Sequence, residues 1–175
     1  MIKIYTENNK GFTIITNFGC DNNCKYCITK HHPILQNAVT DKSKINWAYL
    51  EECISKSNAP TINLSGGGDP FYNWQNNIDF YNRVYELAQK YNKQMDIHTR
   101  ILPNDLSLIS KFRKIALSIE NNDIKAMEKL KSMLPDIEKT TKIRVINVLN
   151  ERMTKDDCLK YITDMKSIGV KQITF

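Results

Sequence analysis

A chain of 175 residues with 41% hydrophobic and 25% charged residues has the length and balance of one globular domain, which excludes a disordered or collagen-like chain. No apolar run approaches the ~20 residues of a membrane helix, and no secretory pattern opens the sequence, so the expected setting is the cytoplasm, with thiols reduced and no membrane contact. The formal charge of +6 comes from 25 scattered basic residues against 19 acidic ones; it permits an anionic partner, but a solvated surface explains it equally.

Phe12-Thr13-Ile14-Ile15-Thr16-Asn17, bracketed by Gly11 and Gly19, is rich in β-branched and aromatic residues and predicts a strand. Three residues later comes Cys20-Asp21-Asn22-Asn23-Cys24-Lys25-Tyr26-Cys27, with thiols at spacings of four and three. Thiolates suit zinc and iron–sulfur clusters, and three of them leave one metal position open where four would close the site. An open position marks a reactive metal. Cys20, Cys24, Cys27 and His31 would also make a zinc site of three thiolates and one imidazole. The odd number of cysteines, five, argues against a disulfide framework. His31-His32-Pro33 continues the loop, and either histidine is a candidate for a substrate or proton role, with an ordinary loop as the alternative.

The pattern Cys-x-x-x-Cys-x-aromatic-Cys, with Tyr26 as the aromatic, resembles the signature of the radical S-adenosylmethionine (radical SAM) enzymes. The resemblance implies that Cys20, Cys24 and Cys27 hold a 4Fe–4S cluster. It implies further that the open iron chelates the amino and carboxylate groups of SAM, near Tyr26. One electron then breaks the sulfonium, and the resulting 5′-deoxyadenosyl radical takes hydrogen from a substrate.

A helix is expected from Ser43 or Asn46 to Ser57, with Trp47, Leu50 and Ile54 on one face and Cys53 beside them as a small core residue. Thr61–Ser65 predicts a second strand, running into Gly66-Gly67-Gly68-Asp69-Pro70. Glycines there let a ligand approach bare backbone. Alone, the run would be a plain turn. After a three-cysteine loop it resembles the Gly-Gly-Glu motif of radical SAM proteins, which implies that Ser65, Gly66, Gly67, Gly68 and Asp69 bind the SAM amino group. Asp stands here where the family has Glu.

A helix follows from about Gln75 to Asn92, then a third strand, Gln94–Thr99. His98 and Arg100, at its end, are the catalytic candidates, since that end of a parallel strand faces the active site; a structural role for His98 is the alternative. Pro103-Asn104 opens a short helix through Lys111, and Lys114–Glu120 is a fourth strand. Ser118 and Glu120 share a face there and resemble the family's ribose-binding position, although Glu120 could instead cap the next helix. That helix carries Ile124, Met127, Leu130 and Leu134 and is expected to stop at Pro135. A fifth strand covers Lys142 to Leu149. Arg144 or Asn147 could contact SAM, and Asn147, nearer the C-terminal end, is the preferred candidate. Thr154 to Asp157 reads as a capping box for a helix to Ile168, with Gly169 past its end and Cys158 in its core face. Val170–Phe175 is a sixth strand.

Strand–helix alternation argues for parallel strands with right-handed crossovers. The resemblance then covers nearly the whole chain and implies an α/β fold, the partial (β/α)6 radical SAM barrel ending at the sixth strand. The expectation is a single core domain, residues 1–175, either truncated after that strand or closed on its open side by a macromolecular substrate or a second copy. A flavodoxin-like or ferredoxin-like reductant is implied as a partner. Within the class, the glycyl-radical-enzyme activating proteins resemble the chain in the cysteine motif. From another class, a zinc-stabilised nucleic-acid-binding module would draw on the +6 charge and the same cysteines.

Overall fold

The computed structural model describes residues 5–8, 11–22, 24, 26–31 and 41–175. The chain forms two compact units, Met1–His98 and Thr99–Phe175.

In the first unit β1 (Tyr5–Asn8) pairs antiparallel with β2 (Gly11–Ile15), which runs parallel to β3 (Thr61–Ser65), itself parallel to β4 (Gln94–Thr99). Strand β1 is an addition to the expected set. The alternation along β2, β3 and β4 sorts the side chains by face. Phe12, Ile14, Ile62, Leu64, Met95 and Ile97 are all at most 2% exposed. Helix α2 (Trp47–Lys56) adds Leu50 and Ile54 to the core, and α3 (Ile78–Lys90) adds Phe80, Tyr81, Val84, Leu87 and Ala88. Each of the larger aliphatic and Phe side chains contributes about 1.5–3 kcal/mol on leaving water. The opposite face is polar: Thr13, Asn63 and Asp96 form one row across the three strands.

Helix α2 begins at Asn46, whose side chain accepts from Tyr49 N at 3.0 Å, while Lys42–Lys44 forms a separate 3-10 turn. A second 3-10 turn, Trp74–Asn77, precedes α3. Lys93, only 8% exposed, donates to the carbonyls of Ser57 (2.8 Å) and Ala59 (2.6 Å), tying the exit of α3 to the exit of α2. Helix α1 (Ile28–His31) follows the cysteines.

In the second unit β5 (Lys114–Ser118), β6 (Lys142–Ile146) and β7 (Ile173–Thr174) run parallel. Helices α4 (Leu106–Ile109), α5 (Ile124–Ile137) and α6 (Lys155–Ile168) complete it, with Ile115, Leu117, Leu130, Leu134, Ile143, Val145, Tyr161 and Met165 in the core. The expected capping box is present: Thr154 and Asp157 exchange side-chain and backbone hydrogen bonds. Cys53 and Cys158 are both half-buried on their helices.

Three expectations are corrected. Helix α5 continues through Pro135 to Ile137. Pro135 and Lys131, four residues before it, are both on the exposed side of the helix, where water can replace the hydrogen bond that proline removes. Glu120 does not cap α5; Asp123 does, accepting from Ala126 N at 3.1 Å. Strand β6 ends at Ile146 rather than Leu149, which is 52% exposed.

Candidate metal and cofactor site

Ile15 and Ser65 are paired in register, so β2 and β3 deliver their following loops to one edge. There the glycine turn docks on the root of the cysteine loop by backbone alone. A Cβ on Gly67 would lie 2.3 Å from Thr16 O, and one on Gly68 would lie 2.6 Å from Gly19 O. Asp69 N donates to Gly19 O at 3.0 Å. Gly66 and Gly67 have φ of +76° and +71°, where a side chain is strained. Above Gly66 there is room, since its Cβ would meet only the Ile15 side chain, no nearer than 3.6 Å.

Asp69 is 5% exposed, and its Oδ1 accepts from Phe71 N at 2.9 Å, closing the turn. Tyr81, which donates to Pro70 O at 2.6 Å, is buried beside it; burial and the Asp69 charge push its phenol well above the ordinary range. Phe18, two residues before Cys20, packs edge-on against Phe80 with centroids 5.0 Å apart and against Tyr81 at 6.3 Å. Tyr72 holds the loop from the other side. Its ring lies so close to Gly19 that a Cβ there would come within 2.8 Å of Cε1. The neighbouring Asp21 carboxylate, as hydrogen-bond acceptor and as charge, raises the pKa of the Tyr72 phenol. Tyr72 N donates to Asp69 O at 2.9 Å. The chain just before Cys20 is thus held by Phe18 and Gly19. Sequence reasoning missed Phe18 and Tyr72; the aromatic pair Phe71-Tyr72 directly after the glycine turn was the available signal.

The three cysteines are free thiols, Cys20 exposed and Cys24 and Cys27 half-buried. Asn22 N and its side-chain amide approach Cys20 Sγ, both at 3.4 Å. Burial pushes the Cys27 thiol up, but hydrogen bonds from the Thr29 hydroxyl and from the N–H groups of Thr29 and Lys30, with the Lys30 charge, outweigh it and leave the thiol below its ordinary pKa. Hydrogen-bond donors around sulfur favour thiolate, the form that binds metal. Among the described residues no three Cys, His, Asp or Glu side chains converge as a ready-made metal site. The donor set itself fits a 4Fe–4S cluster: three thiols on one loop, with donors directed at sulfur. Tyr26 is 46% exposed. His32 and the side chain of His31 lie outside the described residues. His98 is exposed at the end of β4, on the same face as Asp96.

In the second unit Ser118 ends β5 opposite Ile146 of β6, which puts Ser118, Glu120 and Asn147 at one C-terminal edge. Two candidates for separate roles are partners there: Arg100 Nη1 donates to Glu120 Oε1 at 2.6 Å, with Asp123 4.0 Å from the same guanidinium. Asn147 is 2% exposed, and its amide donates to Asn121 Oδ1.

The whole chain resembles the crystal structure of QueE from Escherichia coli with a TM-score of 0.53 at 15% identity, over 94% of this chain and 84% of that one. The likeness shows the fold, the α/β partial (β/α)6 class expected here. No helix among the described residues is long and apolar enough to cross a membrane. Residues 12–144 match the family described as the 4Fe-4S single cluster domain. That span holds both the cysteine loop and the glycine turn, and the chain belongs to this radical SAM-associated family.

Proposed function

We propose that the protein is a radical SAM enzyme that cleaves SAM reductively and uses the product radical to take a hydrogen atom from a substrate. The observation that carries the reading is the backbone docking of Gly67 and Gly68 on Thr16 and Gly19. It holds the glycine turn against the root of the three-thiol loop, and a zinc knot has no need of such a turn.

Cys20, Cys24 and Cys27 would hold the cluster. When bound, it supplies one electron to the sulfonium of SAM, which parts into methionine and a 5′-deoxyadenosyl radical; hydrogen transfer from the substrate then yields 5′-deoxyadenosine and a substrate radical. Ser65 and the backbone of Gly66, where space is open, would receive the SAM amino group, with the Asp69 charge behind them. Glu120, oriented by Arg100, would accept hydrogen bonds from the ribose hydroxyls, with Ser118 and Asn147 on the same edge. In this reading Arg100 is a positioning residue. A flavodoxin-like or ferredoxin-like protein in the cytoplasm would supply the electron.

The test is anaerobic reconstitution with iron and sulfide, then dithionite and SAM, with 5′-deoxyadenosine and methionine measured chromatographically. Both products in equal amounts, with a spectrum that changes when SAM binds, are expected. A colourless protein that takes up zinc but neither iron nor sulfide overturns the reading.

A further inference from the structure

Arg144 is the middle residue of β6 and pairs in register with Ala116 of β5. Its neighbours Ile143 and Val145 are buried in the core, 4% and 0% exposed, so Arg144 lies on the opposite face of the strand, with Ile146. The residues of that face in the second unit are Lys114, Ala116 and Ser118 on β5, Lys142, Arg144 and Ile146 on β6, and Gln172 and Thr174 beside them. The set contains three cations and no acid.

Arg144 Nε is buried and has no hydrogen-bond partner. Among the described residues the guanidinium as a whole has neither a hydrogen bond nor an ion pair. The contrast within the same unit is Arg100, which is paired with Glu120 at 2.6 Å. A guanidinium drawn partly out of water without an acceptor is costly. Its planar fork matches one kind of partner best, an oxyanion that accepts two parallel hydrogen bonds. Ala116, opposite, is the smallest side chain of the row, and Ser118 adds a neutral donor two residues along.

We infer that Arg144 anchors a carboxylate or phosphate group of the substrate. The inference rests on the radical SAM reading above, since it assigns the anion to that enzyme's substrate. SAM also carries a carboxylate, but in that reading the open iron takes it. Arg144, moreover, stands two residues inside the C-terminal end of β6, away from the edge where Ser118 and Asn147 lie.

The experiment is a titration of reconstituted holoenzyme carrying 15N-labelled arginine, with inorganic phosphate and with acetate, before and after saturation with SAM. The Nε–H resonance of Arg144 is assigned by its loss in Arg144→Lys and, independently, in Arg144→Gln. The expected result is a saturable shift of that resonance, half-complete at a concentration on the order of millimolar, that persists in SAM-saturated enzyme while the other arginines respond weakly and without saturation. No saturable shift with either anion overturns the proposal. So does a shift produced by SAM alone that abolishes the anion response, because the guanidinium would then hold the carboxylate of SAM itself. Failure of the parent reading looks different: the wild-type holoenzyme would form no 5′-deoxyadenosine, whatever the titration showed.

Discussion

Gly68 leaves no room for a side chain because Gly19 faces it: a Cβ on Gly68 would stand 2.6 Å from the Gly19 carbonyl oxygen, one residue from Cys20. Gly66, two residues earlier, has the opposite constraint. Its backbone is left-handed at φ +76°, yet its Cβ would make only an ordinary 3.6 Å contact. Alanine should therefore act differently at the two sites. Gly66→Ala costs ~1–2 kcal/mol of backbone strain and should leave cluster content near wild type. Gly68→Ala must push the Gly19 backbone aside, at the upper end of overpacking penalties, ~3 kcal/mol, and should lower iron and sulfide per chain. Thermal melting and iron–sulfide analysis of the two variants decide the matter; equal cluster content in both would show that the two loops are not rigidly coupled.

Asp69 carries two separable contributions, a hydrogen-bond acceptor that closes the turn and a negative charge. Asp69→Asn keeps an acceptor for Phe71 N, now 2.9 Å away, and removes the charge. Its melting temperature should stay close to wild type, while SAM affinity falls ~10-fold or more, as loss of a charge-assisted bond of ~1.5–3 kcal/mol implies. Asp69→Ala should also lose ~1 kcal/mol of stability with the turn bond. Calorimetric binding of SAM to the reconstituted Asn variant is the check. Unchanged affinity would confine Asp69 to the turn.

The parallel strands were legible because they are short runs containing β-branched residues, β3 and β6 closed directly by Gly66 and Asn147, and the cysteine and glycine motifs because their chemistry depends on local spacing. Strand β1 was not. Tyr5–Asn8 is four residues long and includes Glu7 and Asn8, so only its pairing with Gly11–Ile15 identifies it. The Arg100–Glu120 pair was hidden for a related reason. Twenty residues separate the two in sequence, and each has side-chain chemistry that suits a separate role. Pro135 misled because a proline stops a helix only where the lost hydrogen bond cannot be replaced, and exposure of the last turn of α5 is not visible in a residue string.

Tyr72 joins the two halves of the candidate site, with its ring on Gly19, its N–H on Asp69 O and its hydroxyl under the influence of the Asp21 carboxylate. Tyr72→Phe removes only the hydroxyl. The fold and SAM-free melting should be little changed, since the ring and N–H contacts remain, but the hydroxyl's interaction with Asp21 is lost, so iron should leave for a strong chelator several-fold faster. Tyr72→Ala, which also frees the face of Gly19, should lose iron faster still. Iron release followed by absorbance under anaerobic conditions measures this. Identical release rates in wild type and Tyr72→Phe would remove the hydroxyl from any role in holding the loop.

The caps of the second unit set a pH dependence. Hydrogen bonds from the Thr154 N–H and hydroxyl hold the Asp157 carboxyl below its ordinary value of 3.8, and the Ser107 hydroxyl does the same for Asp105, aided by the N–H groups of Leu108 and Ser107. A carboxyl whose pKa is lowered by folding binds fewer protons in the folded than in the unfolded chain near that pH, so stability falls as pH falls. The contribution is complete above the unfolded value and disappears as pH drops through the lower folded value. Asp157→Asn removes the charge from the capping box of α6 while keeping an acceptor. Its melting temperature should therefore lie below that of wild type above about pH 5, and the gap should close below the unfolded value of 3.8 as the wild-type carboxyl protonates. Melting followed by circular dichroism across that range is the measurement. A gap that stays constant with pH would mean that Asp157 stabilises α6 through geometry alone, with no contribution from its charge.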